Sequence, residues 1–480
     1  MNLSRRHLLA GAALGGAGAC LPFWSGRAVA AAGAVTPEQF GAKGDGVSND
    51  SAAFAAMAAH VNAQGGGEIV LRRTTYIIGR QTQAFRRGTS FAFEPAKIME
   101  FTGCTRPLVI RGNGAVIRTA RGLRYGTFNP VSGAKTSNRM PYVAPGEIAS
   151  PYRCMILAQD CSGPVEIENL ELDGNVKALS IGGGYGDIGW QIPATGICLV
   201  DNRGPERLTR IYSHHHAQDG IMIDGTDRSR GPGVRSLLVG VRCEYNGRQG
   251  VSLVGGRGYD FRDCTFSHTG KAGISSPPGG GVDIEAEAGK KIRDVSFSGC
   301  TFSNNAGAGL VADSGDSEDA RFTACTFVGA TNWAAWPNKP RFRFDRCNFV
   351  GPIVRAFGDP NPARATQFYD CTFRDDPALS PTRTVYGGEN RDRPIADLPS
   401  NLNVLFSRCK FLLTHQAVLP WSTNVTYSDC TLSQRSTTGA YPRGLYVGRN
   451  VITGRVGLSG STVRGELIVN GARVPAGKLA

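Results

Sequence analysis

The sequence predicts an all-β fold, a single-stranded parallel β-helix that grows along one axis and carries a short capping helix at its N-terminal end. Three observations predict it. In the second half of the chain a cysteine precedes an aromatic residue by two positions seven times: Cys243-Glu-Tyr, Cys264-Thr-Phe, Cys300-Thr-Phe, Cys325-Thr-Phe, Cys347-Asn-Phe, Cys371-Thr-Phe and Cys409-Lys-Phe, with Cys430-Thr-Leu as an eighth member. The intervals are 21, 36, 25, 22, 24, 38 and 21 residues, a unit of a little over twenty with insertions, which is the period of a solenoid. The alternation in Cys-x-Phe sets both residues on one face of a strand, so that each coil stacks Cys on Cys and Phe on Phe. Composition is the third observation: 64 glycines mark turns, only 19% of residues are charged, and the Leu-x-x-Leu-x-Leu frame of leucine-rich repeats is absent. A solenoid needs no division, so 480 residues make one elongated domain over 35–480 behind a leader.

The leader occupies residues 1–30. Ser4-Arg5-Arg6-His7-Leu8-Leu9 is a paired-arginine segment, a weakly apolar Ala/Gly/Leu run follows, and Ala28-Val29-Ala30 supplies a cleavage site. The three parts in order resemble a twin-arginine signal, implying the export machinery as a partner and a periplasmic or secreted destination. Cys20 reads as an incidental cysteine of that leader rather than a lipid anchor, and no run has the length to span a membrane. Thirteen cysteines in an exported chain suggest disulfides. Eight of them at one repeat position read instead as an interior ladder of free thiols, without any bridge.

The cap comes next, over 35–67. Ser48, Asn49 or Asp50 can accept the free amides at the start of an Ala-rich helix running to about Asn62, Gly65-Gly66-Gly67 ends it, and Glu68-Ile-Val-Leu and Thr75-Tyr-Ile-Ile read as the first strands. Phe40-Gly41-Ala42-Lys43-Gly44-Asp45-Gly46, the capped helix, the triple glycine and the Tyr-Ile-Ile strand resemble the start of the pectate-lyase-like superfamily, and Ile167-Glu168-Asn169-Leu170-Glu171-Leu172-Asp173-Gly174-Asn175 resembles its early-coil segment. That resemblance implies a right-handed parallel β-helix and a place among rhamnogalacturonases, polygalacturonases, related lyases and epimerases, and phage tailspikes. Members differ in chemistry and some only bind glycans. Two departures stand out: Gln218-Asp219-Gly220 has one acid where polygalacturonases have adjacent aspartates, and Gly-His-Gly and Arg-Ile-Lys segments are missing.

Four central strands begin with glycine and an aliphatic residue: Gly220-Ile-Met-Ile-Asp224, Gly250-Val-Ser-Leu-Val254, Gly281-Val-Asp-Ile-Glu285 and Gly309-Leu-Val-Ala-Asp313. With Ile221, Val251, Val282 and Leu310 inward, Met222, Ser252, Asp283 and Val311 face outward beside a column of Asp224, Val254, Glu285 and Asp313. Alternate residues on a strand lie about 6.6 Å apart and coils about 4.8 Å apart. Asp283 and Glu285 then suit an inverting glycosidase pair, which needs roughly 6.5–9.5 Å, and Asp224 stands about 9.6 Å from Glu285. The catalytic candidates are Asp219, Asp224, Asp283 and Glu285, since crowded carboxyls raise one another's pKa and let one stay protonated.

Around them His214, His216, Arg248, Ser252, Lys271 and Trp190 are candidates for holding substrate. Consecutive histidines at 214–216 point alternately in and out on a strand, so no metal site is expected of them. The long segments 121–152 and 181–192 carry Tyr125, Tyr142, Tyr152, Tyr185 and Trp190, which can wall a groove with rings that stack on sugars. Formal charge is +14, three positives fewer once Arg5, Arg6 and Arg27 leave with the leader. A basic surface on an exported β-helix favours an acidic polysaccharide, and no nucleic-acid motif accompanies it. The leading expectation is carboxylate acid/base hydrolysis of a polysaccharide without a cofactor. A uronate lyase or epimerase, with Lys271, Arg248 or a histidine as base and calcium or arginine as counter-charge, is the alternative; a non-catalytic glycan-binding surface protein is a third.

Overall fold

The computed structural model describes residues 33–84, 91–136, 146–183, 192–225, 234–386, 393–398 and 402–480. The segment expected to be a twin-arginine leader, with Cys20, and Tyr142, Tyr185 and Trp190, lie outside the described residues. The chain winds into coils that contribute one short strand to each of three parallel sheets. One coil reads Ile292–Ser298, Thr301–Ser303 and Leu310–Ala312, and the next reads Ala320–Thr323, Thr326–Val328 and Ala335–Pro337, each strand parallel to its counterpart. Strands of three or four residues suffice because each is paired on both sides and needs only one or two inward side chains to join the core.

The corner between the first and second sheets explains the repeat. Its pattern is Phe-x-x-Cys-x-Phe, and the residue before each cysteine, Asp263, Gly299, Ala324, Arg346, Asp370, Arg408 and Asp429, has a left-handed backbone with φ between 52° and 65°. The chain thereby turns sharply and returns to extended geometry at once. Two ladders of rings result. Phe297, Phe322, Phe344, Phe368 and Phe406 stack at 4.7–4.9 Å from the first sheet, and Phe302, Phe327, Phe349, Phe373 and Phe411 at 4.5–4.9 Å from the second. Between them run the buried thiols: from Cys300 to Cys430 each Sγ donates to the carbonyl of the first-ladder phenylalanine one coil back, at 3.2–3.6 Å.

Two expectations about the cysteines need correction. Cys243 is not in the thiol column: it pairs in register with Phe266, so Val241 occupies the column there and Tyr245 faces outward. Cys154 and Cys198, outside the repeat, form a disulfide between adjacent coils. The two cysteines lie on neighbouring strands with their Cα atoms 6.1 Å apart, a proximity that sequence spacing could not reveal.

Both ends of the coil stack are closed. The helix Ser51–Ala63 buries Phe54, Met57 and Val61 over the first coil, with Phe54 edge-on to Tyr76 at 5.2 Å. Asp50 precedes it, and its carboxylate accepts the amides of Lys43 and Gly44, which ties down the Gly-Ala-Lys-Gly turn. At the far end Glu466–Val469 and Ala472–Val474 turn antiparallel and remove the open edge. Insertions near the N-terminus build a separate five-stranded sheet with antiparallel pairs, around Phe93 and Phe128. No helix among the described residues is long and apolar enough to cross a membrane.

Candidate active-site cleft

The third sheet carries the site. A column of glycines opens its central strands because each must admit the carbonyl of the next coil: a Cβ on Gly250 would stand 2.4 Å from the Gly281 oxygen, and one on Gly281 would stand 2.6 Å from that of Gly309. Past the glycines, register runs Met222, Ser252, Asp283, Val311, Trp336, one residue per coil. These outward side chains floor a cleft of 760 Å³, walled by Gln218 and Arg248 on one side and by Glu285, Glu287 and Asp313 on the other, with Pro277 and Pro278 at its edge.

Asp283 is the unusual group in it. Although it faces the cleft, its neighbours leave it only 6% exposed. Its Oδ2 accepts from Gln249 Nε2 at 2.8 Å, and Gln249 is oriented by taking the Gly280 amide on its own Oε1 at 3.0 Å. Asp283 Oδ1 is buried without a hydrogen-bond partner. Burial, and then the neighbouring Glu285 charge, push the Asp283 carboxyl well above the ordinary carboxylate range, with Arg248 acting against them. Glu285, just past the end of the strand, is half-buried and accepts from Ser314 Oγ. Glu287 is also raised, by partial desolvation beside the cleft and by the Glu285 charge, although its side chain is exposed.

Arg248 is held from beneath. Its Nε and Nη2 reach Asp219 Oδ1 and Oδ2 at 2.9 and 2.5 Å, and Ser252 Oγ donates to Asp219 Oδ2 at 3.0 Å. Asp219 is fully buried under these groups. It therefore anchors Arg248 instead of reaching a substrate, which corrects its assignment as an acid or base.

Of the other predicted residues, Arg248, Ser252, Asp283 and Glu285 line the cleft together. Asp224 does not: a register irregularity after Ile223 sets it against Gly255, out of the Glu285 column, and its carboxylate pairs with Lys290. His216 is sealed in the interior between Tyr152 Oη at 2.8 Å and Ser213 Oγ at 3.0 Å, and burial holds its pKa well below the usual imidazole value. His214 ends the second-sheet strand against Glu171 and is not part of the cleft lining, and Lys271 bonds Thr331 on an exposed turn. Tyr125 and Tyr152 are fully buried corner packing and wall no groove.

Glu287, Asp313, Gln218 and Trp336 belong to the lining without having been singled out as site residues. Asp313 and Trp336 carry a sequence signal, since continuing the outward column by one and two coils reaches them. Glu287 and Gln218 lie on corners, where no periodicity points to them.

Residues 154–349 match the family model described as right handed beta helix region. The described strands form a parallel β-helix, of the right-handed type over the matched residues. Depolymerase 1, capsule KN3-specific, of Klebsiella phage KN3-1 is 34% identical over 86 residues, 18% of this chain and 10% of that protein, so the chain spans about a tenth of that relative. Among solved structures, the A-module of mannuronan C-5 epimerase AlgE4 from Azotobacter vinelandii is 14% identical, with 93% of this chain and 99% of that one covered and a TM-score of 0.44. The tailspike protein gp49 from Pseudomonas phage LKA1 is 15% identical, covering 92% of this β-helix and 82% of the tailspike, with a TM-score of 0.44.

Proposed function

We propose that the protein is an exported enzyme whose cleft hydrolyses glycosidic bonds in a polysaccharide, with Asp283 as general acid and Glu285 as the base that activates water. The observation that carries this reading is the buried Asp283 carboxyl, whose Oδ1 has no protein acceptor. A protonated carboxyl there carries a proton that no protein acceptor takes up and that a glycosidic oxygen seated against Asp283 can receive, while Gln249 fixes the other oxygen. Glu285 is more exposed and stands one alternation further along the chain, about 6.6 Å by strand geometry, which leaves room for a water on the opposite face of the sugar. Arg248, already neutralised by Asp219, positions hydroxyls, and the Trp336 ring forms a wall on which a sugar can lie.

The lining bears on the substrate. Asp283, Glu285, Glu287 and Asp313 face a single ion-paired arginine, so a cleaved segment without carboxylates fits better than the acidic glycan suggested by overall charge. The same imbalance disfavours the lyase and epimerase reading through Arg248 or Lys271, since one is committed to Asp219 and the other lies outside the lining. The short likeness to a capsule-specific depolymerase supports polysaccharide as the substrate class, and the twin-arginine leader supports export.

A panel of neutral and acidic polysaccharides, read for new reducing ends and for the ultraviolet absorbance of unsaturated ends, tests this. Reducing ends alone, lost in Asp283→Asn, are expected. Growth of the ultraviolet signal, or full turnover by Asp283→Asn, would overturn it, and binding without turnover across the panel would make the protein a glycan-binding one.

A further inference from the structure

The corner between the second and third sheets holds a group of side chains that the cleft does not use. Asp173 ends the strand Val165–Asp173, and His214 ends the next strand, Glu206–His214, as its register partner. The expectation that successive histidines point apart holds only inside a strand. His215 is at φ 55°, a left-handed residue, and its ring swings back beside that of His214. Their Nδ1 atoms face each other at 2.7 Å, His214 Nδ1 is 3.8 Å from Asp173 Oδ1, and all three atoms lie within 4.8 Å of one another.

We infer that Asp173, His214 and His215 form a binding site for a divalent transition-metal ion of zinc-like chemistry. Ligand atoms held about 2.1 Å from one ion stand roughly 3–4 Å apart, so small ring rotations bring these three onto a single centre, with water completing the shell. The outer groups fit that role. His214 Nε2 is 3.3 Å from Glu171 Oε1; a proton donated there leaves the Nδ1 lone pair facing inward, the carboxylate–histidine arrangement that supports metal-bound imidazole. Tyr212 stacks on His214 at 4.1 Å and Tyr245 on His215 at 5.1 Å, which clamps both ring planes with their Nδ1 edges together. Asp173 is already ordered by Arg118 Nε on Oδ2 at 2.7 Å and the Asn175 amide on Oδ1 at 2.8 Å, which leaves Oδ1 a second lone pair. His215 is partly exposed and opens the corner to solvent. An ion held here staples two successive coils, since Asp173 and the histidines belong to different ones.

Isothermal titration of the chelator-stripped protein with Zn²⁺ tests the site. One ion per chain is expected, with affinity about tenfold or more weaker in Glu171→Gln and stoichiometric binding lost in His215→Ala. Thermal melting keeps the result clear of misfolding: Zn²⁺ raises the Tm of the parent protein and leaves the Tm of a folded His215→Ala variant unchanged. His215→Gln serves as a second variant if the alanine form does not fold. Absence of stoichiometric binding, or binding that persists in the His215 variants through His60, His268 or His415, would overturn the assignment.

Discussion

The corner between the first and second sheets and the outward face of the third sheet are built from the same coils, yet they follow opposite rules. At the corner one residue type recurs: phenylalanine rests on phenylalanine and thiol follows thiol, because each position has the same neighbours one coil above and below. On the third sheet the outward residues differ at every step, Met222, Ser252, Asp283, Val311 and Trp336, although their backbones are in register. Repetition therefore marks what holds the coils together, and its failure on an otherwise regular sheet marks where something else is being done. Asp283 makes the same point: its carboxyl oxygen is buried without a partner in the lining of the cleft, where a scaffold position would be expected to pair it.

That contrast breaks first at Asp283. Asp283→Asn removes the transferable proton while preserving shape, so turnover of the susceptible polysaccharide is expected to fall by about 10²–10⁴-fold, with the fold intact by circular dichroism. A fall of less than tenfold would move the acid role to Glu285 or Glu287. Phe322→Ala makes the reverse cut. Phe322 is fully buried, stacked on Phe297 at 4.9 Å and on Phe344 at 4.7 Å, and its loss is expected to lower stability by about 3–5 kcal/mol in denaturant unfolding. Turnover at temperatures where that variant remains folded should be nearly unchanged. If Phe322→Ala were as inactive as Asp283→Asn while still folded, the separation between scaffold and site would be lost.

Much of the ladder was legible in the sequence because stacking demands identity. The Cys-x-Phe spacing alone located the coils from Cys264 onward, and the aligned Gly-aliphatic starts placed Asp283 beside Ser252 correctly, since a strand interior keeps strict alternation. What escaped lies where alternation lapses. The register irregularity after Ile223 carried Asp224 away from Glu285, the left-handed His215 brought two histidines together, and Cys243-Glu-Tyr imitated the repeat while sitting two residues out of register. The first-sheet ladder was present in the sequence as Phe-x-x before each cysteine from Cys264 to Cys409, and needed only a longer window. Asp219 looked like an acid because its partner Arg248 stands 29 residues away and one coil on.

A milder cut at the corner is Cys325→Ala. It removes a buried thiol and its donation to the Phe297 carbonyl at 3.4 Å, and is expected to destabilise by about 1–2 kcal/mol, well short of Phe322→Ala. Native thiol labelling sharpens the same point. The ladder cysteines should stay unreactive until denaturant is added, and fast labelling of the folded protein would contradict the buried column.

The smallest effect is also the one that ties the two regions together. Asp283 carries a raised pKa in the folded state, first through burial and then through Glu285. The folded protein accordingly binds more protons than the unfolded chain between the ordinary carboxylate value, about 3.9, and the raised one. Stability then falls as pH rises through that window and is level above it. Asp283→Asn has no such proton, so it should melt above the parent protein at neutral pH by a few degrees, with the gap closing toward pH 4 where Asp283 is neutral in both states. Thermal melts of the two proteins across this range measure it directly. A gap of the opposite sign, with the parent more stable at neutral pH, would mean that Asp283 is ionised and well paired, which would return it to the structural side of the comparison and leave the cleft without its acid.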